Sequence, residues 1–453
     1  MFFCYFLSNF SIVKPQTRFS SPIRRVLLQK MKQTIKQTVL ENGITILTDY
    51  MPHAYSAAVG VWIPRGSRHE APDEFGLSHF YEHLVFKGTE NRTALEIAHS
   101  IEDRGGNLEA YTTRQETGFY AQVESGDVPL AIDVISDMLM HPRFDKKEME
   151  KERHVIIEEV HSYDDIPEEL VGDIFNAIHF KGCGIAHSIT GNVKQVEALT
   201  RKQMLKYGHQ VTDEIPLYVF ASGKVNHEQL VELCAEKFKQ KKINGITPDD
   251  IYTSKSSIKI VQKSDITQSN LFWGLSFDRS LMSDRDRCAF SIFNVAMGAG
   301  MASRLFQKIR EDKGLAYSVY STTDLYKDCV DWGVSIATEP HQLKTALSLS
   351  IAEVKKFLRH GFIKDELART KTNILGSMHL GADSPEKRLI RMAEQTLHLG
   401  EFHTMEDVEK KIRAITEDEV LETINRLFST AKYSIAVVEP KMKKKTTLDV
   451  DLF

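Results

Sequence analysis

Two histidines and a glutamate are spaced for chemistry at His79-x-x-Glu82-His83, inside the segment GLSHFYEHLVFKG of residues 76–88. On a helix these side chains sit at i, i+3 and i+4 and share one face. Imidazoles on adjacent turns can grip one Zn²⁺, and the carboxylate between them then lies beside the metal's open position. The order reverses the familiar His-Glu-x-x-His arrangement. Leu77, Phe80, Leu84 and Val85 interleave with the polar three, so the predicted helix is apolar nearly all round and belongs inside the protein. Gly88 is placed to stop it. Polar groups buried there need a partner, and a metal supplies one.

Two histidines are too few for zinc. A third protein ligand is needed, with the fourth position left for water. The best donor segment is FDKKEMEKERHVIIEEV at residues 144–160, which reads as one helix. Asp145 is its N-cap, and Glu148 at the third position makes a capping-box variant. Met149, Glu152, Ile156, Glu159 and Tyr163 fall on one stripe at three-to-four spacing. Two carboxylates on an otherwise apolar stripe call for an explanation.

Together these segments resemble the pitrilysin/insulinase family of inverted-zincin metallopeptidases. The likeness rests on His79-x-x-Glu82-His83 followed by Glu152 and Glu159, which lie 69 and 76 residues after His83 (152 − 83 and 159 − 83). The pattern is most like mitochondrial-processing-peptidase-like single-chain bacterial members. The resemblance implies that His79, His83 and Glu159 bind one Zn²⁺ per chain, that Glu82 activates water, and that Glu152 supports the site. Glu158 is second choice to Glu159, since one helical step turns it off the face. The implied activity is that of a zinc-dependent metalloendopeptidase acting on peptides or unfolded, targeting-type segments. The implied assembly is a homodimer, or a heterodimer with a related chain. The alternative is a non-catalytic assembly or peptide-binding subunit of the same fold, against which the intact five residues speak.

A chain of 453 residues with 42% hydrophobic and 26% charged residues suits a globular protein of two domains. A net charge of −4 argues against nucleic acid as the main partner, and no apolar run reaches the length of a membrane span. Five scattered cysteines give neither a disulfide framework nor a Cys-x-x-Cys site, which fits a reducing, cytoplasmic compartment. Residues 1–30 differ: five Lys or Arg and no acid, since the first acid is Glu41. They read as an over-long start ahead of Met31 or, second, as a transit peptide, which would move the protein to the mitochondrial matrix.

The body repeats itself. Phe144, Glu148, Asp165, Pro167, Glu168 and Gly182 recur as Phe362, Glu366, Asp383, Pro385, Glu386 and Gly400, each 218 residues on. At the same offset Glu152 becomes Thr370 and Glu159 becomes Ser377, while residues 292–297 (IFNVAM) near the histidine-helix position hold no ligand. The expected domains are a zinc-binding half at 31–245, an inactive homologous half at 250–441 and a tail at 442–453, joined by the polar stretch 239–250. The expected fold class is α+β. The resemblance adds that each half is a mostly antiparallel sheet flanked by long helices, and that the halves face each other across a chamber.

GAGMASRLFQKIR at 298–310 contains a Gly-x-Gly pattern, but a helical stretch precedes it, so nucleotide binding is rejected. It continues through EDKGLAYS and resembles a second signature of the same family. That likeness implies that Arg310 and Tyr317 reach from the inactive half to the substrate, where donors would stabilise an oxyanion. Residues 104–113 (RGGNLEAYTT) take the family's edge-strand position, implying substrate contacts at Glu109 and Ala110 by strand addition. The family often carries Asn where this chain has Glu109.

Overall fold

Two β-sheets of matching topology carry the chain. The computed structural model describes residues 34–239, 251–443 and 445–448. The N-terminal extension and nearly all of the join lie outside the described residues. The first sheet contains β1 (Thr34–Val39), β2 (Thr45–Tyr50), β3 (Ser56–Ile63), β4 (Asn107–Thr112), β5 (Thr117–Glu124) and β6 (Tyr218–Gly223), in the order β1-β2-β6-β3-β5-β4. The second contains β7 (Ser257–Lys263), β8 (Ser269–Asp278), β9 (Ala316–Leu325), β10 (Cys329–Thr338) and β11 (Lys432–Pro440), in the order β7-β11-β8-β10-β9. Without β1 the two orders correspond strand for strand. β2–β6 and β7–β11 are parallel, and every other pair is antiparallel.

The first half supplies α1 (Leu77–Val85), α2 (Ala94–Glu102), α3 (Val128–Met140), α4 (Lys146–Asp165), α5 (Pro167–His179), α6 (Val193–Ala198), α7 (Arg201–Asp213) and α8 (His227–Lys237). The second supplies α9 (Asp284–Gly298), α10 (Leu343–His360), α11 (Glu366–Gly381), α12 (Pro385–Leu399), α13 (Met405–Ala414) and α14 (Glu417–Ser429). The repeat is therefore structural. α5 and α12 each begin on their proline at the first helical position, where a missing N–H costs nothing.

A strand with one wet face alternates polar and apolar residues. β3 and β10 do not: all but the first residue of β3, and every residue of β10, are buried. The cause is an exchange between the halves. One face of the first sheet packs on α1, α3 and α4 of its own half. The other takes α12, whose Leu389, Met392, Ala393 and Leu397 cover Leu47, Ala58, Trp62, Tyr120 and Phe220. Reciprocally, Val171 and Phe175 of α5, with Phe180, pack on Phe272, Ala436 and Val438 of the second sheet. His179 anchors this contact, its two ring nitrogens hydrogen-bonded to Ser434 (2.9 Å) and Ser276 (2.8 Å). No helix among the described residues is long and apolar enough to cross a membrane. Cys183, Cys234, Cys288 and Cys329 are buried free thiols.

Candidate metal centre

α1 starts at Gly76, whose φ of 89° and lack of a side chain are both required: a Cβ there would lie 2.6 Å from the Thr190 carbonyl oxygen. Glycine cannot cap a helix with a side chain, so Glu70 does it from upstream. Its buried carboxylate accepts the backbone N–H of Gly76 (2.7 Å) and of Ser78 (2.6 Å), and complements the helix dipole. Burial pushes Glu70 up to about 7 against these bonds. Leu77, Phe80, Leu84 and Val85 are buried, as the apolar spacing predicts, and Tyr81 is buried with them. The helix ends at Val85, short of Gly88.

α4 is capped by Asp145, which accepts from Lys147 N (2.8 Å) and Glu148 N (3.3 Å). The return bond of the expected capping box is absent. Glu148 instead takes Lys151, one turn on, at 2.6 Å. Met149 and Ile156 enter the core and Glu152 is buried with them. α4 thereby lays its carboxylate stripe against α1.

The two helices bring His79, His83 and Glu159 together, with ligand atoms all within 4.8 Å of one another. Glu159 Oε2 is 3.7 Å from His79 Nε2 and 3.5 Å from His83 Nε2. Donors about 2.1 Å from a tetrahedral ion stand roughly 3.4 Å apart, so two imidazoles and one carboxylate at this spacing fit Zn²⁺ with one position open. His83 Nδ1 donates to Glu152 Oε1 at 2.9 Å, which leaves the Nε2 lone pair facing Glu159. Lys87 Nζ holds the other oxygen of Glu152 at 2.8 Å. Burial raises Glu152, but the His83 and Lys87 hydrogen bonds outweigh it and keep the carboxyl below its usual range. Burial drives His79 down to about 3, with His83 adding to the effect, so His79 is a neutral ring suited to a cation. Its Nδ1 is buried without a hydrogen-bond partner among the described residues.

Glu82 points elsewhere. Thr112 of β4 donates to its Oε2 at 2.6 Å. Burial raises its pKa beyond what Thr112 and His83 take back, the direction a proton acceptor needs. Glu159 is likewise raised by burial, against the pull of His83.

Three residues here escaped the sequence reading: Thr112, Lys87 and Glu70. Lys87 lies one turn after His83 and could have been found. Thr112 and Glu70 reach the helix through tertiary contacts that no local spacing signals.

The structure pairs Arg310 and Tyr317 with each other. The guanidinium lies 5.5 Å from the Tyr317 ring centroid and 4.7 Å from that of Phe306. Both residues are exposed, and among the described residues no hydrogen bond or ion pair joins either to the cluster of His79, His83 and Glu159. β4 is one of the two edge strands of its sheet among the described residues. Glu109 is half-buried there, its carboxylate taken by Asn107 (2.8 Å) and the Tyr120 hydroxyl (2.9 Å), while Ala110 packs on the core. A second ligand-like group, Asp284, Glu401 and His403, also converges within 4.8 Å. Asp284 is already bound to Lys411 and Arg287, so cations occupy the place a metal would need.

Comparison with known proteins gives the family and the fold. The profile of "Insulinase (Peptidase family M16)" matches residues 45–192, and that of "Peptidase M16 inactive domain" matches residues 190–374. The chain is 31% identical over 417 residues to a protein of Mycobacterium tuberculosis named as an uncharacterized zinc protease, covering 91% of this chain and 94% of that one. It is 31% identical over 415 residues to the similarly named YmxG of Bacillus subtilis, covering 90% and 98%. Solved structures share the fold. A protease from Helicobacter pylori has a TM-score of 0.82 at 18% identity over 90% of this chain and all of that one. A chain of complex III2 from Candida albicans has a TM-score of 0.75 at 17% identity over 89% and 95%.

Proposed function

The chain belongs to peptidase family M16, the insulinase family, and from that premise we propose that it is a zinc-dependent endopeptidase that hydrolyses peptides or unfolded polypeptide segments. The observation that carries the proposal is the convergence of His79, His83 and Glu159 at the helix that also carries a half-buried Glu82. An assembly subunit needs the fold but not this donor set, and the fold recurs in a chain of complex III2 from Candida albicans.

In this reading His79, His83 and Glu159 hold one Zn²⁺, which when bound acidifies water and polarises a carbonyl. Glu152 fixes the His83 ring through Nδ1, with Lys87 holding Glu152 in turn. Glu82 takes a proton from the attacking water and returns it to the leaving amine, and Thr112 orients its carboxylate. The outer edge of β4 pairs with the substrate backbone around Glu109 and Ala110. Arg310 and Tyr317 supply hydrogen-bond donors from the second half to the developing oxyanion.

The test is digestion of a mixed peptide library, read by mass spectrometry. Cleavage should stop with a chelator and return with Zn²⁺. Cleavage that is indifferent to chelator, or its absence from zinc-loaded protein, would contradict the proposal.

A further inference from the structure

The loop between β3 and α1 carries the Glu70 cap and a short 3-10 turn at Ser67–His69. Its middle is not loose: Ser67 and Arg68 are buried. Ser67 N and Arg68 N bond the carbonyls of Thr113 (3.1 Å) and Arg114 (3.0 Å), in the turn between β4 and β5. Gly66 and Gly184 are needed for this packing. A Cβ on Gly66 would sit 2.2 Å from the Thr113 carbonyl oxygen, and one on Gly184 would sit 1.9 Å from that of Arg68.

From this wedge two side chains cross to the other half. Arg68 makes a two-pronged ion pair with Asp328, both N···O distances 2.9 Å. Gln115 uses both ends of its amide, accepting Lys327 N at 2.9 Å and donating to the Leu325 carbonyl at 3.3 Å. Leu325, Lys327 and Asp328 form the turn between β9 and β10. That turn is thus gripped by two loops, each leading directly into the candidate site. The Arg68 loop runs on to Glu70 and α1. The Gln115 turn follows Thr112, which holds Glu82. At its far end β9 begins at Ala316, next to Tyr317.

We propose that Arg68, Gln115 and Asp328 are positioning residues: they fix the β9–β10 hairpin of the second half against the metal helix and Glu82, and so set where the second half presents its donors. The proposal rests on the peptidase reading above. The physical reason is leverage. A forked guanidinium–carboxylate pair fixes orientation as well as distance, and small misplacements of catalytic groups cost rate without costing the fold.

The test uses the full chain and a quenched fluorescent peptide. Asp328→Asn keeps the shape and removes the charge, and Arg68→Lys keeps the charge and removes the fork. Gln115→Ala perturbs the same turn without touching the ion pair, which covers the case of an unfolded Asp328 variant. Zinc content and Tm should stay near wild type while kcat falls by roughly 10- to 100-fold and KM changes less. Arg68→Lys should recover part of what Arg68→Ala loses. Unchanged kcat in both Asp328→Asn and Gln115→Ala, or losses that merely follow zinc or Tm, would overturn the proposal. Tyr317→Phe separates it from the underlying reading. Wild-type kcat there removes Tyr317 as a donor, whereas the clamp is decided by the Asp328 and Gln115 variants.

Discussion

The helix crossing that holds His79 and Glu159 has a counterpart in the second half, and the two are filled with opposite materials. Where α4 brings Glu152 and Glu159 to α1, the corresponding positions of α11, which packs on α9, are a buried Thr370 and an exposed Ser377, and the α9 stretch from Ile292 to Met297 is apolar except for Asn294. Ile292, Phe293 and Met297 are fully buried, and the Asn294 side-chain oxygen accepts from Ser321 and the Trp332 indole. The second half also buries charge: Arg304 forks onto Glu366 at 2.8 and 2.5 Å, with Ile363 N completing the pair, while Asp331 and Glu439 are buried with one carboxylate oxygen each unpartnered among the described residues. In the first half burial instead suppresses protonation of His79 and raises Glu82 and Glu159. The scaffold therefore stands without the polar cluster. The cluster is a local cost of the kind kept for chemistry, and a bound cation would offset it.

The contrast can be broken by deleting its terms. His83→Ala or Glu159→Ala should lose most of the zinc and all measurable hydrolysis, read by metal analysis and peptide assay. Stoichiometric zinc in either variant would end the ligand assignment. Glu152→Gln should be milder, weakening zinc by about 10- to 100-fold, as loss of a group that only orients a ligand does.

The contact between the halves gives a pH test. Burial drives His179 from 6.5 down to about 4, and only a backbone contact with Lys255 opposes it. Between those values the unfolded chain binds the proton and the folded one does not. Stability from this group is thus complete above about 6.5 and is lost as pH falls toward 4, up to about 3 kcal/mol. In His179→Gln the fall in Tm across that window should be shallower. An unchanged slope would remove His179 as its cause. The smallest effect sharpens the comparison from the other side. Thr370→Glu with Ser377→Glu should add no second zinc, because α9 offers no imidazole. Two zinc ions per chain would show that carboxylates alone make the site.

The paired halves were legible because a 218-residue offset survives in caps, prolines and helix starts, which are local features. The helix carrying His79, Glu82 and His83 was legible for the same reason, since i, i+3, i+4 spacing needs no tertiary knowledge. The exchange of α5 and α12 was not. A strand buried on both faces, such as β3, reads as an apolar run whichever half covers it. Thr112 on Glu82 and Glu70 on α1 were invisible because each joins residues far from local register. The capping box at Asp145 failed for a local reason, the nearer Lys151. Arg310 and Tyr317 were named from motif alone, and the structure adds that they pair with each other.

Zinc content and turnover of Glu82→Gln, measured on the same sample, test the central claim most directly. The amide keeps the shape and the Thr112 contact but cannot take a proton. The account predicts one zinc per chain, as in the wild type, with hydrolysis reduced by about 10²- to 10⁴-fold. Near-normal turnover with zinc in place would contradict it, and so would loss of the zinc.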